Sequence, residues 1–317
     1  MCMKKADPKA SVCITNSHGR LGQCVVGIGN GISPSGIPWK EMSISGEPLT
    51  DMLERENSAL IDVLERFGAE VLRPERLDEK TLMSYFGDGA MGCGLDQQFP
   101  RGCVCIVAND LIEFVPSDLS ERTAMAGLYG ILRRKSEDNG VCWYSTPNCP
   151  LLNVPEDYPF LDSRDILQLD DKMVIGYHKG RNGTNREGFR WMRNTFAFHD
   201  VRGIELPDNI HLAQVLSVPR PGLAVVCRDV VGELPSFMSG WDVIDISREE
   251  AEGLLADCLS LDERTIVIGH SDADPSRLAS ELSAKGLDVV ALDFTAHIEL
   301  GGSVGSSVLP LRRAVPQ

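Results

Sequence analysis

The chain has 317 residues, 43% hydrophobic, 24% charged and 6% aromatic, an ordinary soluble globular composition with material for one large domain or two ordinary ones. Its 46 acids against 31 bases give a net charge of −15, which repels phosphate backbones and anionic lipid and argues against nucleic acid and membrane surfaces as partners. No apolar run approaches the roughly 20 residues of a membrane helix, and the N-terminal MCMKKADPKASV lacks the apolar stretch of a secretory signal.

Residues 1–10 read as a flexible tail and 28–48 as loop, both rich in small or turn-forming residues. From residue 11 to 317 no linker or low-complexity segment interrupts the chain, so a single domain is expected. One pattern then recurs: a short apolar strand, a helix, often a glycine, and a second short strand. The first unit has a strand at Cys24-Val-Val-Gly-Ile and a helix over about 51–67, with Met52, Leu53, Leu60, Ile61, Leu64 and Phe67 at helical spacing. Gly68 is placed to end that helix, before the strand Glu70-Val-Leu. The second unit has Cys103-Val-Cys-Ile-Val, a turn at Asn109-Asp110, Leu111-Ile-Glu-Phe-Val, a helix over about 118–135 and a strand after Gly140.

The third unit has Ile166-Leu-Gln-Leu, a turn at Asp170-Asp171, Met173-Val-Ile-Gly and a helix over about 186–196. The fourth has Leu223-Ala-Val-Val-Cys, a short helix near 235–239 and Trp241-Asp-Val-Ile-Asp-Ile, followed by a helix opened by the capping box Ser247-Arg-Glu-Glu250. The fifth has Thr265-Ile-Val-Ile-Gly, a helix over about 275–285, Gly286 and Leu287-Asp-Val-Val-Ala-Leu. Five like units argue against two unrelated domains, because none can bury its strands alone. The residues alone leave two arrangements open: a ring of five units, or a doubly wound α/β sheet.

The ten cysteines are scattered, with no CxxC, and Cys103-Val-Cys105 is too tight for a zinc knuckle. Several lie in apolar runs, where a thiol acts as a small hydrophobe. A reducing cytosol is expected, hence a cytoplasmic protein with neither a disulfide framework nor a structural metal.

Three features could carry chemistry: Ser163-Arg-Asp165 before the third hairpin, Ile210-His211-Leu212 beginning an apolar strand, and the C-terminal stretch from Leu300 to Arg313 with its glycines and serines. Singly they read as a turn aspartate, a rim histidine and a loop. Together, each at a repeat boundary, they could converge on the axis of a ring.

Their order and wording resemble the pentein superfamily of guanidine-modifying proteins, which comprises amidinotransferases, dimethylarginine dimethylaminohydrolases and arginine deiminases. Asp165 matches the family's substrate-binding Asp, which typically follows two small residues; here Ser163 and Arg164 stand at those positions, and only Ser163 is small. Thr184-Asn-Arg-Glu-Gly-Phe-Arg-Trp-Met-Arg193 resembles the family's T-N-x-x-G helix start, and His211 its general acid/base. The Gly-Gly-x-x-x-Cys-x-x-x-Pro-Leu pattern fits Gly301 to Leu311, with Ser306 in place of the nucleophilic cysteine. The segment from Arg101 to Arg122 resembles that of amidinotransferases, although Gly102 replaces the Asp of their Arg-Asp and Ala213 that of His-x-Asp.

The resemblance covers about residues 11–313. It implies an α/β, five-fold pseudosymmetric propeller of strand–helix–strand units, with Asp165, His211 and Ser306 as catalytic residues and Arg101, Arg122, Gly301 and Gly302 as substrate-binding ones. It implies attack on the guanidinium carbon of arginine or a related compound, with no cofactor and, for a transferase, an amine acceptor. A homodimer is the default assembly. Transfer is the leading expectation and hydrolysis the alternative. Ser306 adds two more: a guanidino-binding protein without turnover, and a cysteine enzyme disarmed by a Cys→Ser change. A hydroxyl is far less acidic than a thiol, so Ser306 needs a base at the moment of attack, and His211 is the expected one.

Overall fold

The structure, a computed structural model, describes residues 6–33, 35–147, 155, 157–180 and 183–315. Parts of the expected tail, Cys2 and Cys149 lie outside them. The five units appear as five three-stranded sheets, each an antiparallel hairpin extended by a parallel third strand beyond a crossover. In the first unit the hairpin joins the two ends of the chain: Leu21–Val26 pairs antiparallel with Val308–Arg313 and parallel with Glu70–Leu72. The second sheet is Val104–Val107, Asp110–Glu113 and Cys142–Ser145; the third is Ile166–Leu169, Lys172–Tyr177 and Asp200–Glu205. The fourth is Leu216–Arg220, Leu223–Val226 and Asp242–Asp245; the fifth is Leu259–Ser260, Thr265–His270 and Asp288–Asp293.

The apolar runs follow from packing on both faces. Successive side chains of a strand point to opposite sides. Val25 enters a core shared with Val104 and Ile106 of the second unit, while Cys24 and Val26 enter one shared with Leu259 and Val267 of the fifth. Cys105 and Val107 pack with Ile166 and Ile175, and Leu167 and Val174 pack with Leu216, Val225 and Ile268. Each unit is therefore bound to its neighbours by apolar cores, and the first strand of each of the second to fifth sheets, together with Val308–Arg313, lines a common interior cavity of about 90 Å³.

The helix Leu49–Phe67 buries Leu49, Met52, Leu53, Leu60 and Leu64 on one face and ends at Gly68 in the left-handed conformation, φ 92°. The capping box at Ser247 and Glu250 forms. Other expectations change. The helix over 118–135 divides into Leu119–Ala124 and Tyr129–Ser136, because the turn at Gly127 offers its carbonyl to Glu75 N. The 28–48 loop holds a small hairpin, Ser43–Ile44 with Glu47–Pro48. His211 opens a short helix, Leu212–Val215, rather than a strand, because the Gln214 side chain accepts the His211 N–H at 2.9 Å. Of the expected tail, Asp7 N donates to Asn109 Oδ1 and Ala10 is buried.

Candidate active site

The turn Ser163–Asp165 projects Asp165 into the interior, where it is fully buried. Its Oδ1 accepts Leu212 N at 3.0 Å and lies 3.1 Å from His211 Nδ1; its Oδ2 accepts Thr184 N at 2.8 Å. With both oxygens taken by the chain, Asp165 orients His211. His211 Nε2 lies 3.9 Å from Asp162 Oδ2. Burial lowers the His211 pKa and the Arg164 charge repels its proton, but Asp165 and Asp162 together outweigh both, so it is raised.

His178 Nε2, 3.9 Å from Asp165 Oδ2, completes a group whose donor atoms lie within 4.8 Å of one another, close enough to hold a metal ion. Gly183 packs over that group: a Cβ on it would lie 2.8 Å from Asp165 Oδ2 and 3.1 Å from ring atoms of both histidines. Gly183 N in turn donates to Ser117 Oγ. Arg122 orders that loop, its Nε donating to Pro116 O at 2.6 Å and its guanidinium lying over the Phe160 ring. Arg122 thus supports the cover of His211, not the Ser306 loop.

Next to His211 lies a buried cluster that sequence reasoning missed. Arg164 donates from Nε and Nη2 to Asp162 and from Nη2 to Glu121 Oε1 at 2.5 Å. Burial pushes Asp162 up, but the Arg164 charge overrides it and holds the carboxyl down at about 2. Burial pushes Glu121 the other way, up to about 8. The Glu121 carboxylate fills the space that any side chain at position 102 would need, which explains Gly102.

Ser306 is 3% exposed, on the loop ahead of the last strand. Its hydroxyl donates to Asp257 Oδ2 at 2.6 Å, and the same oxygen accepts Ser303 N at 2.9 Å and Ser306 N at 3.2 Å. Asp257 was also missed. Its signal in the sequence is a lone carboxylate inside the apolar run Leu254 to Leu261, where an unpaired charge would be costly. Arg101 Nη1 donates to Gly305 O at 3.2 Å, so Arg101 does adjoin the Ser306 loop. Asp257 and Arg101 line the interior cavity together with Ser163, Arg164, Leu212 and Ala213, which flank Asp165 and His211. The partner of Ser306 and the chain neighbours of Asp165 and His211 therefore border one cavity.

Gly301 has φ 88°, a left-handed conformation that favours glycine, and Gly302 packs against the Phe99 ring. An alanine at Gly302 would drive its Cβ into that ring, and overpacking of this kind costs about 1–3 kcal/mol. Gly302→Ala should lower the urea midpoint accordingly, with an unchanged m-value.

No family model matches this sequence, and no curated protein matches it. Solved structures do. An amidinotransferase of the saxitoxin biosynthetic pathway from Microseira wollei superposes with a TM-score of 0.77 at 19% identity, over 97% of this chain and 98% of its own. The inosamine-phosphate amidinotransferase of Streptomyces griseus gives 0.76 at 17% identity, over 97% and 98%. The dimethylarginine dimethylaminohydrolase of Pseudomonas aeruginosa, in a complex with citrulline, gives 0.63 at 19% identity, over 92% and 99%. These likenesses show the fold: the chain has the mixed α/β fold of these two amidinotransferases. Among the described residues no helix is long and apolar enough to cross a membrane.

Proposed function

We propose that the protein modifies guanidino groups, in the manner of an amidinotransferase acting on arginine or a related compound. The observation that supports it is the pairing of Ser306 with Asp257 and of His211 with Asp165, with Asp257 and the chain neighbours of Asp165 and His211 on the wall of one cavity, in a chain with an amidinotransferase fold. The inter-unit cores and the shared cavity also support a closed, five-fold pseudosymmetric ring as the frame.

In this reading Ser306 Oγ attacks the guanidinium carbon while its proton passes to Asp257, the carboxylate it already touches. The carboxylates of Asp165 and Asp162 raise the His211 pKa and so favour its imidazolium, the form that can protonate the leaving amine. The carbon is left as an O-linked amidino group on Ser306. An amine takes it in transfer; water takes it in hydrolysis, the alternative outcome.

One observation favours a second reading, a protein that does not turn over. Arg164 already places a guanidinium between Asp162 and Glu121, beside His211. A single assay separates the readings. The protein is incubated with arginine, methylated arginines and guanidinoacetate, with and without an acceptor amine, and products are followed by mass spectrometry. The proposal expects product from the parent chain and none from Ser306→Ala. Product from Ser306→Cys alone would mark a disarmed cysteine enzyme, and binding without product in all three would mark the second reading.

Eight cysteines among the described residues are free thiols, which supports a cytoplasmic setting. A homodimer is the proposed assembly, to be read by light scattering.

A further inference from the structure

The interior cavity carries an unbalanced charge. Four charged side chains line it: Arg101, Arg164, Asp257 and Arg313. Arg164 is matched by Asp162. Two guanidinium groups then stand against one carboxylate, and the Asp257 Oδ2 is already covered by three donors from the 303–306 loop.

Neither arginine has a carboxylate within ion-pair distance among the described residues. Arg313 is 4% exposed, and its Nη1 donates to Gly19 O at 2.6 Å and Ser260 O at 2.8 Å. Arg101 donates from Nη1 to Gly305 O. The other N–H groups of both have no protein acceptor within hydrogen-bond distance among the described residues, and two cations that share one carboxylate repel each other. Burial, and after it the Arg101 charge, pull Arg313 down to about 9, still cationic at neutral pH. Ser17 Oγ, also on the cavity wall, is buried without a hydrogen-bond partner. One water needs roughly 10–15 Å³ of such space. The cavity of about 90 Å³ therefore has room for an ion with water around it.

We propose that this cavity binds a small monovalent anion of halide size, with Arg101 and Arg313 as its cationic ligands. The anion cancels the excess positive charge. It also has a structural consequence. Arg313 ends the strand that closes the first sheet, and Arg101 holds the carbonyl next to Ser306. An anion between them ties the chain closure to the Ser306 loop. The site does not depend on the guanidino reading, because it needs neither a substrate nor turnover.

The test is made on the full chain in two arms. Crystals grown with sodium bromide are measured at the bromine edge, and an anomalous peak touching both guanidinium groups is expected. Thermal unfolding is followed in sodium chloride and in sodium gluconate at equal ionic strength, since gluconate, a carboxylate bearing five hydroxyls, is not an anion of halide size. Melting should rise by about 2–4 °C for each tenfold increase in chloride above its dissociation constant, with no such rise in gluconate. Arg101→Met removes one ligand from a half-buried position and should abolish the chloride-specific rise. A cavity that holds water alone in bromide, or an undiminished chloride response in Arg101→Met, would overturn the proposal.

Discussion

Arg164→Met should be the most destabilising single substitution in the site, costing about 3–5 kcal/mol at neutral pH. Arg164 is 8% exposed and supplies the only cation within ion-pair distance of both Asp162 and Glu121 among the described residues. Methionine fills similar space but leaves the Asp162 carboxylate buried with only His211, 3.9 Å away, as a counter-charge. The sign of the pH dependence follows. Asp162 is held down at about 2 against an ordinary 3.8, so its contribution is present above pH 3.8 and is lost as pH falls through about 2. In Arg164→Met that contribution is reduced to what His211 supplies, so the gap between variant and parent should narrow as pH drops below about 4. Glu121 acts in the opposite direction. Its carboxyl, raised to about 8 from 4.5, favours the fold below pH 4.5, and that advantage fades as pH rises through 8. Urea unfolding at pH 7 and pH 3 checks both statements. A loss under 1 kcal/mol at pH 7 would mean that Asp162 finds another partner.

How much of this was legible in the sequence varies with how local the cause is. The central strands were readable because they bury both faces, which leaves unbroken apolar runs such as Val104 to Val107. The strand Asp200–Glu205 was not, because it lies at a sheet edge and only Val201 and Ile204 of its six residues are buried. Leu259–Ser260, two residues long, carries no periodicity at all. His211 was read as beginning a strand because the apolar run after it is real; the turn that intervenes depends on the Gln214 side chain. The site divided in the same way. Ser306, His211 and Asp165 stood out by motif. Asp257 and Glu121 did not, since their meaning comes from partners 49 and 43 residues away.

That distance is why the pair Ser306–Asp257 makes the sharpest catalytic test. Asp257→Asn should leave the fold nearly intact while lowering turnover by about 10²–10⁴-fold. The amide oxygen can replace Oδ2 and accept the same three donors from Ser303 N, Ser306 N and Ser306 Oγ. Its NH₂ would take the place of Oδ1, which has no partner to lose. Bonds to a neutral acceptor are weaker than bonds to a carboxylate, so a stability loss of about 1–2 kcal/mol is expected. An amide cannot accept the serine proton, so kcat should fall with KM little changed. Asp257→Ala behaves differently, because each buried donor left unpaired costs about 1–3 kcal/mol and the loop itself should loosen. His211→Asn should also lose turnover, through the leaving amine rather than the nucleophile. A substrate whose leaving group needs no proton should therefore restore activity to His211→Asn and leave Asp257→Asn inactive. If the reverse holds, His211 serves Ser306 as its base, and Asp257 only fixes the loop.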